Sequence, residues 1–71
     1  MADEKYMVIK DDDVHFSIYN PAAKGIIITL DKQEDAEQLK IWMETDDRYM
    51  ILNNFFLDVA GKEKVLKAMG V

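Results

Sequence analysis

The chain of 71 residues contains no cysteine, and its only histidine is His15. The missing cysteines exclude disulfides and thiolate metal ligands, and a single histidine excludes a multi-histidine zinc site within one chain. Stability therefore has to come from packing. The hydrophobic fraction of 49% is high enough for a core in a small domain and leaves apolar surface for a partner.

Glycine is also scarce, and Gly25, Gly61 and Gly70 are isolated from one another. A phosphate-binding loop needs closely spaced glycines, so neither such a loop nor another cofactor site is predicted. Each glycine is expected at a turn or a helix end, with Gly61 as a C-cap or bend.

Long apolar runs are absent, since none approaches the roughly 18 residues that cross a bilayer. The first residues are acidic and contain no apolar stretch, which is not typical of a signal peptide. We therefore expect no membrane association and a cytoplasmic location.

Negative charge dominates, with a formal net charge of −5, but its distribution is uneven. Residues 1–58 have a net charge of −7, whereas residues 59–71 have +2 because they contain Lys62, Lys64 and Lys67. Every phosphate contact favours a cation, so direct nucleic-acid binding is not expected.

Apolar residues alternate in the first part of the chain, which predicts strands over Tyr6–Lys10, Val14–Tyr19 and Ile26–Leu30. Short connections between them favour an antiparallel meander. The alternation predicts one set of side chains facing inward: Val14, Phe16, Ile18, Ile26, Ile28 and Leu30. The opposite set faces outward: His15, Ser17 and Tyr19.

After Leu30 the apolar spacing changes to threes and fours, which predicts helices. Asp31 and Glu34 have the spacing of a capping box, so the first helix is expected to start at Asp31 and to end near Glu44. Its predicted buried stripe consists of Ala36, Leu39, Trp42 and Met43.

A second helix is predicted over Asp47–Ala60, capped within Thr45–Asp47. A hairpin turning at Asn53-Asn54 is the alternative for residues 48–59. A last helix is predicted over Lys62–Met69. The fold prediction is one α+β domain over residues 1–71: a three-stranded antiparallel meander followed by two or three helices on one face.

The residues that could bind a metal or act in catalysis are explained more simply as surface residues. Asp11, Asp12 and Asp13 are expected to form a solvated turn, with a weak calcium site as the alternative. His15 and Ser17 share a strand face, but any two residues at this spacing do so. We therefore expect a surface histidine, no catalytic residues, and a protein that is not an enzyme.

The second helix is predicted to be apolar around most of its circumference, which suggests that part of it contacts another chain. Met50 and Leu57 are the expected contact residues on this helix. Trp42 is added if it lies at the edge of its stripe, and His15 and Tyr19 form a second polar-aromatic row on the sheet. The partner is expected to be another protein or a second copy of this chain.

The functional expectation is a small acidic protein-interaction module, an inhibitor or modulator that occupies a basic or apolar surface on its partner. Some phage-encoded host inhibitors have this size and charge, and they compete with nucleic acid for basic clefts. A self-associating structural subunit, a homodimer, is the alternative.

Overall fold

The computed structural model describes residues 5–70 and confirms the predicted order of elements. Three strands, β1 (Met7–Lys10), β2 (Phe16–Asn20) and β3 (Gly25–Leu30), precede three helices, α1 (Gln33–Glu44), α2 (Arg48–Leu52) and α3 (Val59–Ala68). The strands form one antiparallel sheet in the order β1-β2-β3. The fold is therefore α+β.

The core lies between one face of the sheet and the helices. Phe16, Ile18 and Leu30 line the sheet side, and α1 packs against all three strands while α3 packs against β3. The predicted stripe of α1 is confirmed, because all of its members are buried: Ala36, Leu39, Trp42 and Met43. Ile51 of α2 and Val65 of α3 complete the core.

A register shift in the sheet corrects two predicted inward positions. Ile18 pairs with Ile28 but Tyr19 pairs with Ile26, so Ile27 is an extra residue in β3. The bulge moves Ile26 to the face opposite the helices, where it is 56% exposed, and Ile27 packs against the core instead. Val14 was also expected inward, but it precedes β2 and is exposed.

Ser17 lies on the outward face, as predicted, yet it is fully buried. It occupies the central strand between Ile9 and Thr29. Its hydroxyl donates its hydrogen to the Asp11 carboxylate and accepts a hydrogen bond from the Thr29 hydroxyl at 2.8 Å. Burial of this hydroxyl is therefore compensated by two polar partners.

The predicted capping box of α1 is wrong. Lys32, not Asp31, occupies the N-cap position; its backbone is extended, with φ −136°, and it makes no side-chain capping bond. Asp31 therefore lies one residue before the N-cap. Helix α1 ends at Glu44, as predicted.

The predicted second helix is divided in two, and the hairpin alternative is not found. Helix α2 ends at Leu52, residues 53–58 turn, and α3 begins at Val59 rather than at Lys62. Asp47 is the N-cap of α2, as expected for this segment, and Asp58 is the N-cap of α3. Gly61 is thus a buried residue of the first turn of α3, not a C-cap.

Gly61 lies where α3 packs closely against β3. A Cβ atom at this position would lie 3.1 Å from Cδ1 of Ile28 and 3.1 Å from the Asp58 carboxylate. Gly70, with φ +83°, follows the end of α3 as predicted. Within residues 5–70 no helix has the length and apolar character that crossing a bilayer demands.

The observed N-cap Asp58 and the wrongly predicted N-cap Asp31 give the first prediction. Asp58→Ala should lower the free energy of unfolding by about 1 kcal/mol, because the Gly61 amide loses its acceptor, whereas Asp31→Ala should change it little. Urea midpoints measure both. Asp58→Asn is the control, since it keeps an acceptor oxygen. An Asp31→Ala loss as large as that of Asp58→Ala would contradict the observed helix start.

Candidate protein-interaction site

The turn between α2 and α3, residues 53–58, is held by short polar contacts. The Asn53 side-chain amide donates to the Tyr49 carbonyl at 2.7 Å, and the Phe56 amide donates to the Asn54 side chain at 3.3 Å. At the end of the turn, the Gly61 amide donates to the Asp58 carboxylate at 2.7 Å. These side chains replace the helical bonds that a continuous helix would have made.

Two neighbouring apolar residues fasten this turn to the core. The ring of Phe56 stacks on Trp42, with centroids 6.0 Å apart and planes inclined by 7°. Leu57 is only 4% exposed. Because these two residues are held on the inside of the turn, their neighbour Phe55 is left on the outside, where its side chain is fully exposed at 103% of the reference area.

Four more large apolar side chains of the same stretch are exposed, of which Met50 is the least exposed at 39%. We call the other three, Tyr49, Leu52 and Val59, together with Phe55, the Phe55 surface, and each of its members is exposed by at least 49%. Tyr49 and Leu52 are three residues apart on α2 and share one side of it. Single exposed apolar residues are ordinary in soluble proteins, but five within residues 49–59 indicate a contact region.

Acidic residues accompany the Phe55 surface. Asp46 accepts a hydrogen bond from Arg48 at 3.0 Å, so the one cation of this stretch is already paired. The N-cap carboxylates of Asp47 and Asp58 remain, one before each helix. The surface is therefore apolar with a negative border.

The five predicted contact residues divide into three groups. Leu57 and Trp42 belong to the core, so the expectation that Leu57 is exposed is wrong, and Trp42 does not lie on an open edge. Met50 is 39% exposed beside Tyr49. His15 and Tyr19 belong to the sheet and its first turn, so no single cluster contains all five.

Tyr19 lies in an apolar row on the sheet face that the helices leave uncovered. It pairs with Met7 of β1 and with Ile26 of β3, so the three side chains cross the sheet side by side. Tyr19 is half-buried, whereas Met7 and Ile26 are exposed. This row is a second apolar surface. Its side chains are on average less exposed than those of the Phe55 surface.

His15 forms an exposed pair with Asp12. Its Nδ1 atom lies 2.9 and 2.8 Å from the two Asp12 carboxylate oxygens. The hydrogen bond from His15 lowers the pKa of Asp12, and the same bond raises the pKa of His15. Ser17 bonds to Asp11 and Thr29, not to His15, so the two residues do not form a nucleophile-base pair.

The three consecutive aspartates are engaged in different directions. Asp11 accepts from Ser17, Asp12 from His15, and Asp13 lies 4.0 Å from the Lys10 ammonium group. Among residues 5–70, no group of three or more acidic, histidine or cysteine side chains is arranged to hold a metal ion. Each of the three carboxylates therefore faces a different partner, and whether this turn is solvated or binds calcium weakly stays a prediction.

Comparison with known proteins gives no match: no family model, no curated protein and no solved structure is similar to the chain. The properties of the site therefore have to be read from its own residues. The apolar spacing of residues 47–60 had predicted Tyr49, Leu52, Phe55, Phe56 and Val59 on one side of a single helix. Of these only Phe56 packs against the core, and the other four are exposed. The paired asparagines before Phe55 were the available signal for the turn that separates them.

The Asp12–His15 pair predicts a specific pH dependence. The pKa of His15 should lie above its ordinary 6.5 in the wild type and return toward 6.5 in Asp12→Asn, as measured by NMR titration of the imidazole protons. Asparagine keeps the acceptor for the Val14 amide, so the turn should persist.

The difference in unfolding free energy between the wild type and Asp12→Asn should follow the titration of Asp12 and His15. A raised histidine pKa stabilises the fold fully below pH 6.5, and this contribution disappears as the pH rises through the folded pKa of His15. The lowered pKa of Asp12 stabilises above 3.8 and is lost as the pH falls through its folded value. An advantage of wild type over Asp12→Asn that does not decrease as the pH rises through the folded pKa of His15 would contradict the pair.

Proposed function

We propose that this chain is a non-enzymatic protein-interaction module that binds a partner protein through the Phe55 surface. The observation that supports this proposal is the complete exposure of Phe55 on a turn whose neighbouring residues, Phe56 and Leu57, pack against the core. Because the backbone of the turn is already fixed, only the side-chain rotamers of Phe55 have to be ordered on binding, and this lowers the entropy cost. Aromatic side chains of this kind account for much of the energy of protein interfaces.

The charge around the Phe55 surface favours one kind of partner. Asp47 and Asp58 border the apolar residues, and the whole chain has a net charge of −5. The complementary surface is an apolar pocket flanked by lysine or arginine side chains. A small acidic protein that occupies such a cleft also blocks it, and this supports the narrower proposal of an inhibitor or modulator.

Self-association through the same surface is less favoured by its charge. A two-fold contact between two Phe55 surfaces would bring the Asp47 and Asp58 carboxylates of both copies together. Arg48, which could offset them, is already paired with Asp46. The homodimer therefore stands as the competing outcome of the test.

Phe55→Ser should abolish capture of the partner while leaving the fold intact, because the side chain has no internal contacts to lose. Immobilised wild type and variant are incubated with extract of the cells that produce the protein, and retained proteins are identified by mass spectrometry. With the purified partner, the affinity should fall about 30-fold, the loss typical of an aromatic hot spot.

Ile41→Ser is the matched control, since Ile41 is exposed on α1 outside the Phe55 surface and should retain the partner. Asp58→Asn keeps the α3 cap but removes a border charge, so it should weaken binding at low salt more than at high salt. Equal capture by Phe55→Ser and wild type would refute the proposal. Sedimentation showing a Phe55-dependent dimer would favour the homodimer instead.

A further inference from the structure

Strand β3 is an edge of the sheet. It pairs with β2 on one side only, and the part of the chain covered by the structure supplies no strand on the other side. Within residues 5–70 no backbone hydrogen bond joins residues 25–30 to a segment outside the sheet. The outward N–H and C=O groups of β3 are therefore available to another extended chain.

A groove follows this edge. A cavity of about 520 Å³ is lined by five consecutive residues of β3, Ile26–Leu30. Consecutive side chains of a strand point to opposite faces, so a cavity that touches all of them runs along the edge. The cavity beside β1 differs, because it touches only the alternating residues Val8 and Lys10 and so lies on the helix face.

The far wall of the groove comes from the α3 side. Phe56, Asp58 and Gly61 line the first cavity at one end of β3. A second cavity of about 360 Å³ continues toward the other end, and Ile26, Ile27 and Lys64 line both. We call the two together the β3-edge groove. A strand of six residues such as β3 is about 20 Å long, so the groove offers room for a short extended peptide.

The β3-edge groove carries positive charge on an otherwise acidic molecule. Lys64 lines both cavities and Lys67 lines the second. Both side chains are exposed, and neither forms an ion pair with any of residues 5–70. Asp58 is the only acidic residue that lines either cavity. The charge therefore favours an acidic occupant.

At the β3 edge, the helix side and the uncovered side of the sheet present different residues. Alternate side chains of an added strand would face these two sides in turn. Lys64 and Lys67 belong to α3 and so lie on the helix side of the sheet. Ile26, which pairs with Tyr19, is 56% exposed on the uncovered side. A strand added to β3 would place alternate side chains toward the lysines and toward Ile26.

We propose that the β3-edge groove binds an extended segment of a partner protein in which acidic and apolar residues alternate, and that this segment adds as a fourth strand to β3. Main-chain hydrogen bonds to β3 hold the segment, and its acidic side chains select it by contact with Lys64 and Lys67. This inference concerns residues other than the Phe55 surface and does not depend on the proposed function.

A second copy of this chain is a poorer occupant of the groove. Antiparallel pairing of two β3 strands about a two-fold axis normal to the sheet leaves both α3 helices on one face. Lys64 and Lys67 of one copy would then face those of the other, and like charges in such proximity oppose the contact.

The test is an NMR titration of the isotopically labelled protein with a short blocked peptide of alternating glutamate and valine. Binding should move the amide resonances of residues 25–30 and 60–68 saturably, with a dissociation constant of about 1 mM or tighter. A peptide with lysine in place of glutamate should cause no comparable shifts. Methylation of the peptide nitrogens should abolish binding by the glutamate peptide, because strand addition requires their hydrogens.

Lys64→Glu and Lys67→Glu should each raise the dissociation constant of the glutamate peptide about fivefold. Lys62→Glu is the matched control: the same charge change on the same helix, at a residue that lines neither cavity, should have a much smaller effect. The proposal is overturned if the glutamate peptide moves no resonance of residues 25–30, or if methylated and unmethylated peptides bind equally. Concentration-dependent shifts of residues 25–30 without peptide would instead identify a second copy as the occupant.

Discussion

A three-stranded sheet has two faces, and the helices within residues 5–70 cover only one of them. Helices α1 and α3 pack on the side of Phe16, Ile18 and Leu30, and the core closes there. The opposite face keeps the row of Met7, Tyr19 and Ile26, and β3 remains an open edge. Since disulfides are impossible without cysteine, the one-sided core has to provide the stability of the domain, and apolar residues that do not fit into it remain at the surface.

The division of the predicted second helix follows from the same constraint. A continuous helix over residues 47–60 would have had to bury both Ile51 and Leu57, which are six residues apart and so point about 120° away from each other around the helix axis. By turning at Asn53 and Asn54, the chain places both residues in the core and stacks Phe56 on Trp42. The same turn leaves Phe55 and Val59 facing solvent. Their exposure is therefore a consequence of burying Ile51, Phe56 and Leu57.

The accuracy of sequence reasoning varied with the range of the interaction involved. Periodicity predicted the order of elements and the buried stripe of α1, because these depend on the repeat of a single strand or helix. It placed Ile26 on the wrong face, since one bulged residue at Ile27 reverses every position before it in β3. The start of α1 was misplaced by one residue: Lys32, in an extended conformation, occupies the N-cap position instead of Asp31, and the residue spacing of a capping box does not by itself fix a helix end to a single residue. The burial of Ser17 could not be predicted either, because its partners Asp11 and Thr29 come from two other segments.

Residues 56–58 connect the two surfaces that distinguish this molecule. Phe56 and Leu57 anchor the turn that exposes Phe55, and both also line the β3-edge groove. Asp58 caps α3, the helix that carries Lys64 and Lys67, and at the same time borders the Phe55 surface. The Phe55 surface, with its acidic border, and the β3-edge groove, with its lysines, therefore lie on either side of one short backbone segment. Any substitution that loosens the stacking of Phe56 on Trp42 should disturb both surfaces together, whereas substitutions at Phe55 or Lys64 change one surface and leave the shared wall in place.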